Sequence, residues 1–184
     1  MTIGFAMCGS YCTFSQVFPV MEQLAKQHTV IPIFAQLQSS RFGTEQEHIQ
    51  HSCSICGRPP LRTIADVEPI GPGKTLDALI IAPCTGNTLA KLAHGIADTS
   101  ITMAAKSQLR NGRPVILAVS TNDGLATAAA NIGQLLTRRH YYFVPFGQDD
   151  PIHKPRSLVA DFSQLPETLN YAMKGQQLQP ILLK

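Results

Sequence analysis

The sequence lacks an apolar run long enough to cross a bilayer, because charged residues and prolines interrupt every stretch, although 44% of its 184 residues are apolar. No basic leader precedes the first apolar segment, so we expect no secretory signal and a cytoplasmic protein. The five cysteines are an odd number, which favours free thiols over a disulfide framework. The formal net charge is only +3, and the cations are scattered along the sequence, so we expect no nucleic-acid partner.

The chain contains no internal repeat and no linker, and its pattern alternates between strand and helix. We predict strands over residues 2–7, 29–34, 76–82, 115–119 and 141–144, and helices over residues 14–27, 88–95, 101–111, 125–137 and 163–174. In the less regular part we predict a short helix over residues 44–51 and a strand over residues 61–65. This order predicts one α/β domain over residues 1–184, doubly wound around a mostly parallel sheet, with an irregular tail over about 145–184.

A polar turn follows the buried strand that ends near residue 82, and it opens a helix. It contains Thr85, Gly86, Asn87 and Thr88. The hydroxyl and amide groups, together with the unpaired backbone amides at a helix start, favour an anion, and the glycine would let a ligand approach the backbone. The alternative is an ordinary helix cap.

Similar turns are predicted after three other strands. They contain Gly9 and Ser10, then Ser39 and Ser40 beside a cation, and finally the polar segment Ser120–Asp123. Because the carboxyl ends of parallel strands lie at one edge of a sheet, these turns predict a shared site for a phosphate-bearing cofactor. The glycine spacing of a dinucleotide fingerprint is missing, so a mononucleotide fits better than NAD.

The cysteines allow several interpretations. Cys53 and Cys56 have the spacing of half a zinc site or of a redox pair, but no matching second pair follows. We expect a loop feature, and the alternatives are an adventitious metal site completed by His48 and His51, and a functional dithiol. Cys8 and Cys84 end two strands that we expect to be neighbours. Cys84 is either partly ionised by the helix start that follows it or simply a small residue suited to tight packing.

Several motifs are specific enough to indicate a family. Residues 83–98 begin with Pro-Cys-Thr-Gly-Asn-Thr and resemble the Pro-Ala-Ser-Ala-Asn-Thr signature, and the helix after it, of the flavoprotein superfamily that includes the homo-oligomeric flavin-containing cysteine decarboxylases. Within this superfamily, further stretches are similar to the dipicolinate synthase B subunits. These stretches are residues 68–72, 101–106, 109–111, 113–115, 120–125 and 142–151.

The resemblance implies a Rossmann-like three-layer α/β/α flavoprotein fold that binds FMN. Carried over position by position, it implies a cofactor site formed by Gly9, Ser10, Ser39, Ser40, Cys84, Thr85, Gly86, Asn87, Thr88, Ser120 and Asn122. The methionine-rich segment and the catalytic histidine of the decarboxylases have no clear equivalent here, so cysteine decarboxylation is not expected.

The resemblance also implies a role in dipicolinate synthesis during sporulation, in the mother-cell cytoplasm. The chain would act with a nicotinamide-dependent A subunit, which carries NAD(P), and would often form homo-oligomers. A planar dicarboxylate substrate requires cations, and the candidates are Lys106, Arg110, Lys154 and Arg156. Two alternatives are a non-catalytic partner that stabilises the A subunit and an independent FMN-dependent decarboxylase or prenyltransferase.

Overall fold

A seven-stranded sheet lies at the centre of the structure, a computed structural model that describes residues 1–35 and 43–183. The strands are β1 (Thr2–Met7), β2 (Thr29–Phe34), β3 (Ala78–Cys84), β4 (Val115–Thr121), β5 (Tyr141–Phe143), β6 (Phe146–Gly147) and β7 (Leu158–Ala160). The helices are α1 (Phe14–Ala25), α2 (Glu45–Cys56), α3 (Ile64–Val67), α4 (Ile70–Gly73), α5 (Gly86–His94), α6 (Ser100–Arg110), α7 (Thr127–Leu136) and α8 (Leu165–Ala172).

The central strands are parallel and lie in the order β2-β1-β3-β4-β5. This is a doubly wound order, so the predicted mostly parallel α/β sheet is confirmed. The outer side of β4 has two neighbours. Its first half pairs with β5, and its end, at Ser120 and Thr121, pairs with the antiparallel strand β7. Strand β6 completes the sheet beyond β7.

The helices form a layer on each face of the sheet. Helix α1 packs against α2 and α8, and α5 packs against α6 and α7, while α6 also contacts α3 and α4. None of the helices in the described residues is long and apolar enough to span a membrane.

Coverage on both faces explains why the central strands are continuously apolar. Every residue of β3 is buried, and so is every residue of β4 except Thr121. The packing at Gly4 of β1 is tight, because a Cβ there would lie 2.6 Å from Leu76 Cδ1 and the leucine would have to move.

The structure corrects two predicted strands. Strand β3 covers residues 78–84 instead of 76–82, because Asp77 lies before the strand and accepts a hydrogen bond from the Thr2 amide at 2.8 Å. The strand over residues 61–65 is wrong. Leu61 makes a single bridge to Ile33, and Thr63 then starts α3 with a capping box that satisfies the first amides locally.

The tail after residue 145 is more regular than predicted. It contains β6, β7, a 3-10 turn at Phe162–Gln164 and α8. The predicted helix over residues 163–174 corresponds to the 3-10 turn and α8. The two strands were missed because segments of two or three residues are too short to show an alternating pattern.

Candidate functional site

Three polar turns meet at the carboxyl edge of the sheet. They follow β1, β3 and β4 and comprise residues 8–13, 84–88 and 120–124. Strands β1 and β3 are neighbours, but the helices that follow them lie on opposite faces of the sheet. This is a topological switch point, the place where open α/β sheets bind ligands.

A pair of serine hydroxyls joins the first and third of these turns. Ser10 Oγ lies 2.6 Å from Ser120 Oγ, although the residues are 110 positions apart. Ser10 has a left-handed backbone with a φ of 68°, which is uncommon for a residue other than glycine. Its carbonyl accepts hydrogen bonds from the Thr13 amide at 3.0 Å and the Thr13 hydroxyl at 2.8 Å. These bonds hold the Ser10 hydroxyl at the edge of the sheet.

The second turn forms the start of α5. Thr85 is the N-cap, and its hydroxyl accepts a hydrogen bond from the Thr88 amide at 3.5 Å and donates one to the Thr88 hydroxyl at 3.3 Å. Asn87 is exposed at the second position of the helix. The start of α5 lies beside the turn after β1, because Thr85 Oγ1 is 3.8 Å from Cys8 Sγ. This end of α5 carries the positive end of the helix dipole.

Gly86 has a different role from the one that the sequence predicted. A Cβ at this position would lie 2.8 Å from both Thr121 Oγ1 and Asp123 Oδ1. The glycine therefore makes room for the turn after β4, and it does not open the backbone to a ligand on this side. At Gly9, by contrast, a Cβ would make only an ordinary contact with Thr85, at 3.6 Å.

Thr121 and Asp123 lie in the predicted polar turn after β4, but neither was among the residues predicted to bind the cofactor. The Thr121 hydroxyl donates a short hydrogen bond to Asp123 Oδ1. The polar turn itself was visible in the sequence, but the approach of this pair to the start of α5 depends on the tertiary structure. Asn122 lies between them and is exposed.

Cys8 directly follows β1 and Cys84 ends the neighbouring strand β3, as predicted, and both side chains are buried. Burial raises the pKa of the Cys8 thiol, and burial followed by the nearby Cys8 raises the pKa of the Cys84 thiol well above its ordinary value. Cys8 Sγ donates a hydrogen bond to the Pro83 carbonyl at 2.9 Å. The partly ionised Cys84 considered from the sequence is therefore wrong. Its side chain is fully buried and does not line the turn.

The turn predicted after β2 includes residues that lie outside residues 1–35 and 43–183. The predicted site residues Ser39 and Ser40 belong to this segment, so their role stays a prediction.

Two of the four predicted substrate cations lie near the carboxyl edge, on the β6–β7 loop. Lys154 Nζ pairs with Asp149 Oδ2 at 3.1 Å, and the pKa of Lys154 is raised by that carboxylate. The Arg156 carbonyl accepts a hydrogen bond from the Leu125 amide at 2.9 Å, which attaches the loop to the turn after β4. Both side chains are exposed.

The other two predicted cations lie at the opposite edge. Helix α6 starts beside the end of β2, where Ser100 Oγ donates to the Phe34 carbonyl at 2.7 Å, and it ends near the start of β4. Arg110 is its last residue, and Lys106 lines a cavity of about 250 Å³ with Arg138 and other residues. The structure therefore does not bring Lys106 and Arg110 together with the cofactor turns of the same chain.

The cysteine pair Cys53 and Cys56 lies near the end of α2, and not in a loop as predicted. Burial raises the pKa of the Cys56 thiol to about 11. Within residues 1–35 and 43–183, no group of three His, Cys, Asp or Glu side chains is arranged to hold a metal ion.

Comparison with known proteins identifies relatives over the whole length of the chain. A family model described as Flavoprotein matches residues 1–152. The B subunit of dipicolinate synthase from Bacillus subtilis (strain 168) is 41% identical over 186 aligned residues, which cover 99% of this chain and 93% of that protein.

Solved structures agree with this similarity. A crystal structure of the dipicolinate synthase B subunit from Bacillus halodurans has a TM-score of 0.91 and 41% identity, covering 100% of this chain and 96% of that one. The FMN-dependent cysteine decarboxylase SpaF has a TM-score of 0.69 and 22% identity, covering 94% of this chain and 97% of that one. The similarity to SpaF shows a shared fold and nothing further.

Proposed function

Because the chain belongs to the Flavoprotein family, and within it to the dipicolinate synthase B subunits, we propose that it binds FMN and oxidises a dihydrodipicolinate-type ring to dipicolinate together with a nicotinamide-dependent A subunit. The observation that carries the proposal is the meeting of hydroxyl-bearing turns at the switch point between β1 and β3. Ser10 and Ser120 are joined there at 2.6 Å, beside the start of α5.

The donor set at this edge fits FMN. The hydroxyls of Ser10, Ser120 and Thr85, with the first amides of α5, suit a phosphate and a ribityl chain. Next to Ser10, the half-buried Tyr11 ring packs on the buried Phe14 ring at 5.0 Å between centroids, and its accessible part is suited to contact with a flat ring.

Asp123 indicates how the cofactor would be oriented. A carboxylate repels a phosphate, so we expect the phosphate on the side of the turns after β1 and β2, near Gly9, Ser10, Ser39 and Ser40. Asp123 and the exposed Asn122 would then face the ring or the ribityl chain. When bound, FMN would supply a hydride acceptor, and the chain would position the substrate against it.

The β6–β7 loop would bind the substrate. Lys154 and Arg156 are exposed cations next to the turn after β4, and two cations suit the two carboxylates of a planar pyridine precursor.

We place the protein in the mother-cell cytoplasm of a spore-forming bacterium and NAD(P) on the A subunit. We also propose that it forms a homo-oligomer.

An absorbance titration tests cofactor binding. Purified protein is titrated with FMN, alone and in the presence of the A subunit, and bound flavin is separated from free flavin by gel filtration. We expect flavin to elute with the protein. Protein that stays colourless in both arms contradicts the proposal.

A second measurement tests the catalytic role. The rate of dipicolinate formation is compared between the A subunit alone and the pair of subunits. We expect the pair with FMN to be faster. Equal rates would instead favour a partner that only binds the A subunit.

A further inference from the structure

The three turns at the carboxyl edge contain a single carboxylate. Asp123 lies in the turn after β4, and the other titratable side chains of these turns, all of which the structure describes, are thiols and a phenol: Cys8, Cys12, Cys84 and Tyr11. Cys8 and Cys84 are buried thiols with raised pKa values, so they do not accept protons from a ligand. Asp123 is therefore the candidate base at this edge.

Asp123 is held firmly in place. Its Oδ1 accepts the hydrogen bond of the Thr121 hydroxyl. Its backbone carbonyl accepts hydrogen bonds from the Ala126 amide at 2.8 Å and the Ala128 amide at 3.2 Å. The side chain is half-buried, and no hydrogen bond from a described residue reaches Oδ2. One carboxylate oxygen thus fixes the group while the other remains available.

The surroundings of Asp123 are electrostatically favourable for a carboxylate. Its Oδ1 lies against Gly86, the first residue of α5, where the helix dipole is positive. The β6–β7 loop, which is attached to the chain two residues after Asp123, carries two cations. They are Lys154, which is paired with Asp149, and Arg156, whose carbonyl contacts the amide of Leu125.

We propose that Asp123 Oδ2 accepts the proton that the substrate loses when its ring is oxidised. This inference rests on the function proposed above. Oxidation of a dihydropyridine-type ring to a pyridine removes a hydride from one ring atom and a proton from another. The hydride, with both electrons, passes to FMN or to NAD(P)+, the proton passes to the carboxylate, and the remaining electron pair forms the new ring double bond.

The decisive variant is Asp123→Asn, which keeps the shape of the side chain but removes the base. We expect FMN affinity to stay within about threefold of the wild-type value, while kcat with the A subunit falls on the order of 10²–10⁴-fold. The acidic limb of the pH–rate profile should disappear. Asp98→Asn is a matched control. Asp98 pairs with Lys91 of α5 and lies outside the three turns, so we expect this variant to keep the wild-type kcat.

Chemical rescue separates a base from a structural role. Asp123→Ala should recover activity when formate is added, because a small carboxylate can occupy the space of the missing one, while Asp98→Asn should not respond. If Asp123→Asn retains wild-type kcat, or if formate does not restore Asp123→Ala, the role of Asp123 is wrong and FMN binding still stands. If the wild-type pair neither binds FMN nor turns over, the proposed function fails and the role of Asp123 fails with it.

Discussion

Small side chains at the carboxyl edge are placed by close contacts between distant parts of the chain. Ser10 meets Ser120, and Gly86 meets Thr121 and Asp123. The residue types were visible in the sequence as polar turns after apolar strands. Their mutual distances were not, because they depend on the register of β1, β3 and β4.

The contact at Gly86 predicts a large effect from one methyl group. Gly86→Ala would place a Cβ 2.8 Å from two oxygen atoms, so we expect a loss of about 1–3 kcal/mol in the free energy of unfolding and weaker FMN binding. Urea unfolding and FMN titration measure these effects.

The matched control is Gly133→Ala in the middle of α7, where a Cβ would meet nothing within 4 Å. We expect that variant to be more stable by about 0.5–1 kcal/mol, because alanine favours a helix over glycine. Equal stability of the two variants would contradict the packing described for Gly86.

Among the elements, the β6–β7 loop carries the cations proposed for the substrate. It returns along the end of β4 through β7, and this places Lys154 and Arg156 near the turn that contains Asp123. The short strands that position the loop were not predicted. Strand β7 pairs with the end of β4 that β5 does not reach. A sequence pattern does not show which part of β4 is left for such a partner.

Removal of either loop cation should weaken substrate binding selectively. For Lys154→Gln and Arg156→Gln we expect KM for the dicarboxylate substrate to rise by roughly 10–100-fold, since a hydrogen bond to a charged group contributes about 1.5–3 kcal/mol. FMN affinity should not change. Steady-state kinetics with the A subunit measure KM.

Lys26→Gln, at the end of α1 beside Glu22, should behave as the wild type. A change in FMN affinity without a change in KM would assign these cations to the cofactor.

The start of α6 is joined to β2 by one buried hydrogen bond. Ser100 is 3% exposed, and its hydroxyl donates to the Phe34 carbonyl at 2.7 Å. Ser100→Ala leaves this carbonyl without its partner, so we expect a loss of about 1–3 kcal/mol in urea unfolding. Ser54→Ala is the control, because Ser54 is exposed and its hydroxyl only bonds the His51 carbonyl of its own helix. For Ser54→Ala we expect the free energy of unfolding to change by no more than about 0.5 kcal/mol. If Ser54→Ala lowers the free energy of unfolding more than Ser100→Ala does, the Ser100 hydrogen bond does not stabilise the contact between α6 and β2.

Charge is distributed unevenly over the whole molecule. Cations that are scattered in the sequence gather at the amino edge of the sheet, at Lys26, Lys74, Lys106, Arg110, Arg113, Arg138, Arg139 and Lys174. At that edge Glu22 pairs with Lys26, and Asp77 pairs with Arg113. Cations that are spread along the sequence thus lie on one side of the molecule, because loops that lead into parallel strands converge as those that leave them do.

Buried acids make the whole molecule sensitive to alkaline pH. Burial raises the pKa values of Cys8 and Cys84 above 9.0, and it raises the pKa of Tyr141 to about 12 from 10.0. The unfolded chain loses these protons first as pH rises. Their contribution to the free energy of unfolding is therefore fully present below about pH 9. Above that pH it decreases, by at most about 1.4 kcal/mol per pH unit for each buried thiol.

Urea unfolding at a series of pH values from 8 to about 10.5 measures this loss. Cys8→Ala should show a shallower decline than the wild type, whereas the exposed Cys12→Ser should decline as the wild type does. Stability that stays constant up to the highest pH would show that the thiols ionise in the native state.

The sequence by itself determined the class of fold and most of its elements. Strands β1 and β2 match their predicted residues because buried parallel strands are continuous apolar runs between turn residues. The signature at residues 83–98 was also sufficient to indicate the family, since a helix start after a buried strand is a local pattern.

Only the tertiary structure decided which polar groups share a site. It placed Asp123 against Gly86, moved Lys106 and Arg110 to the far edge, and buried Cys84 so that its thiol stays neutral. These outcomes depend on distances and on desolvation, and both arise from packing between elements that are far apart in the chain. A local pattern contains neither quantity.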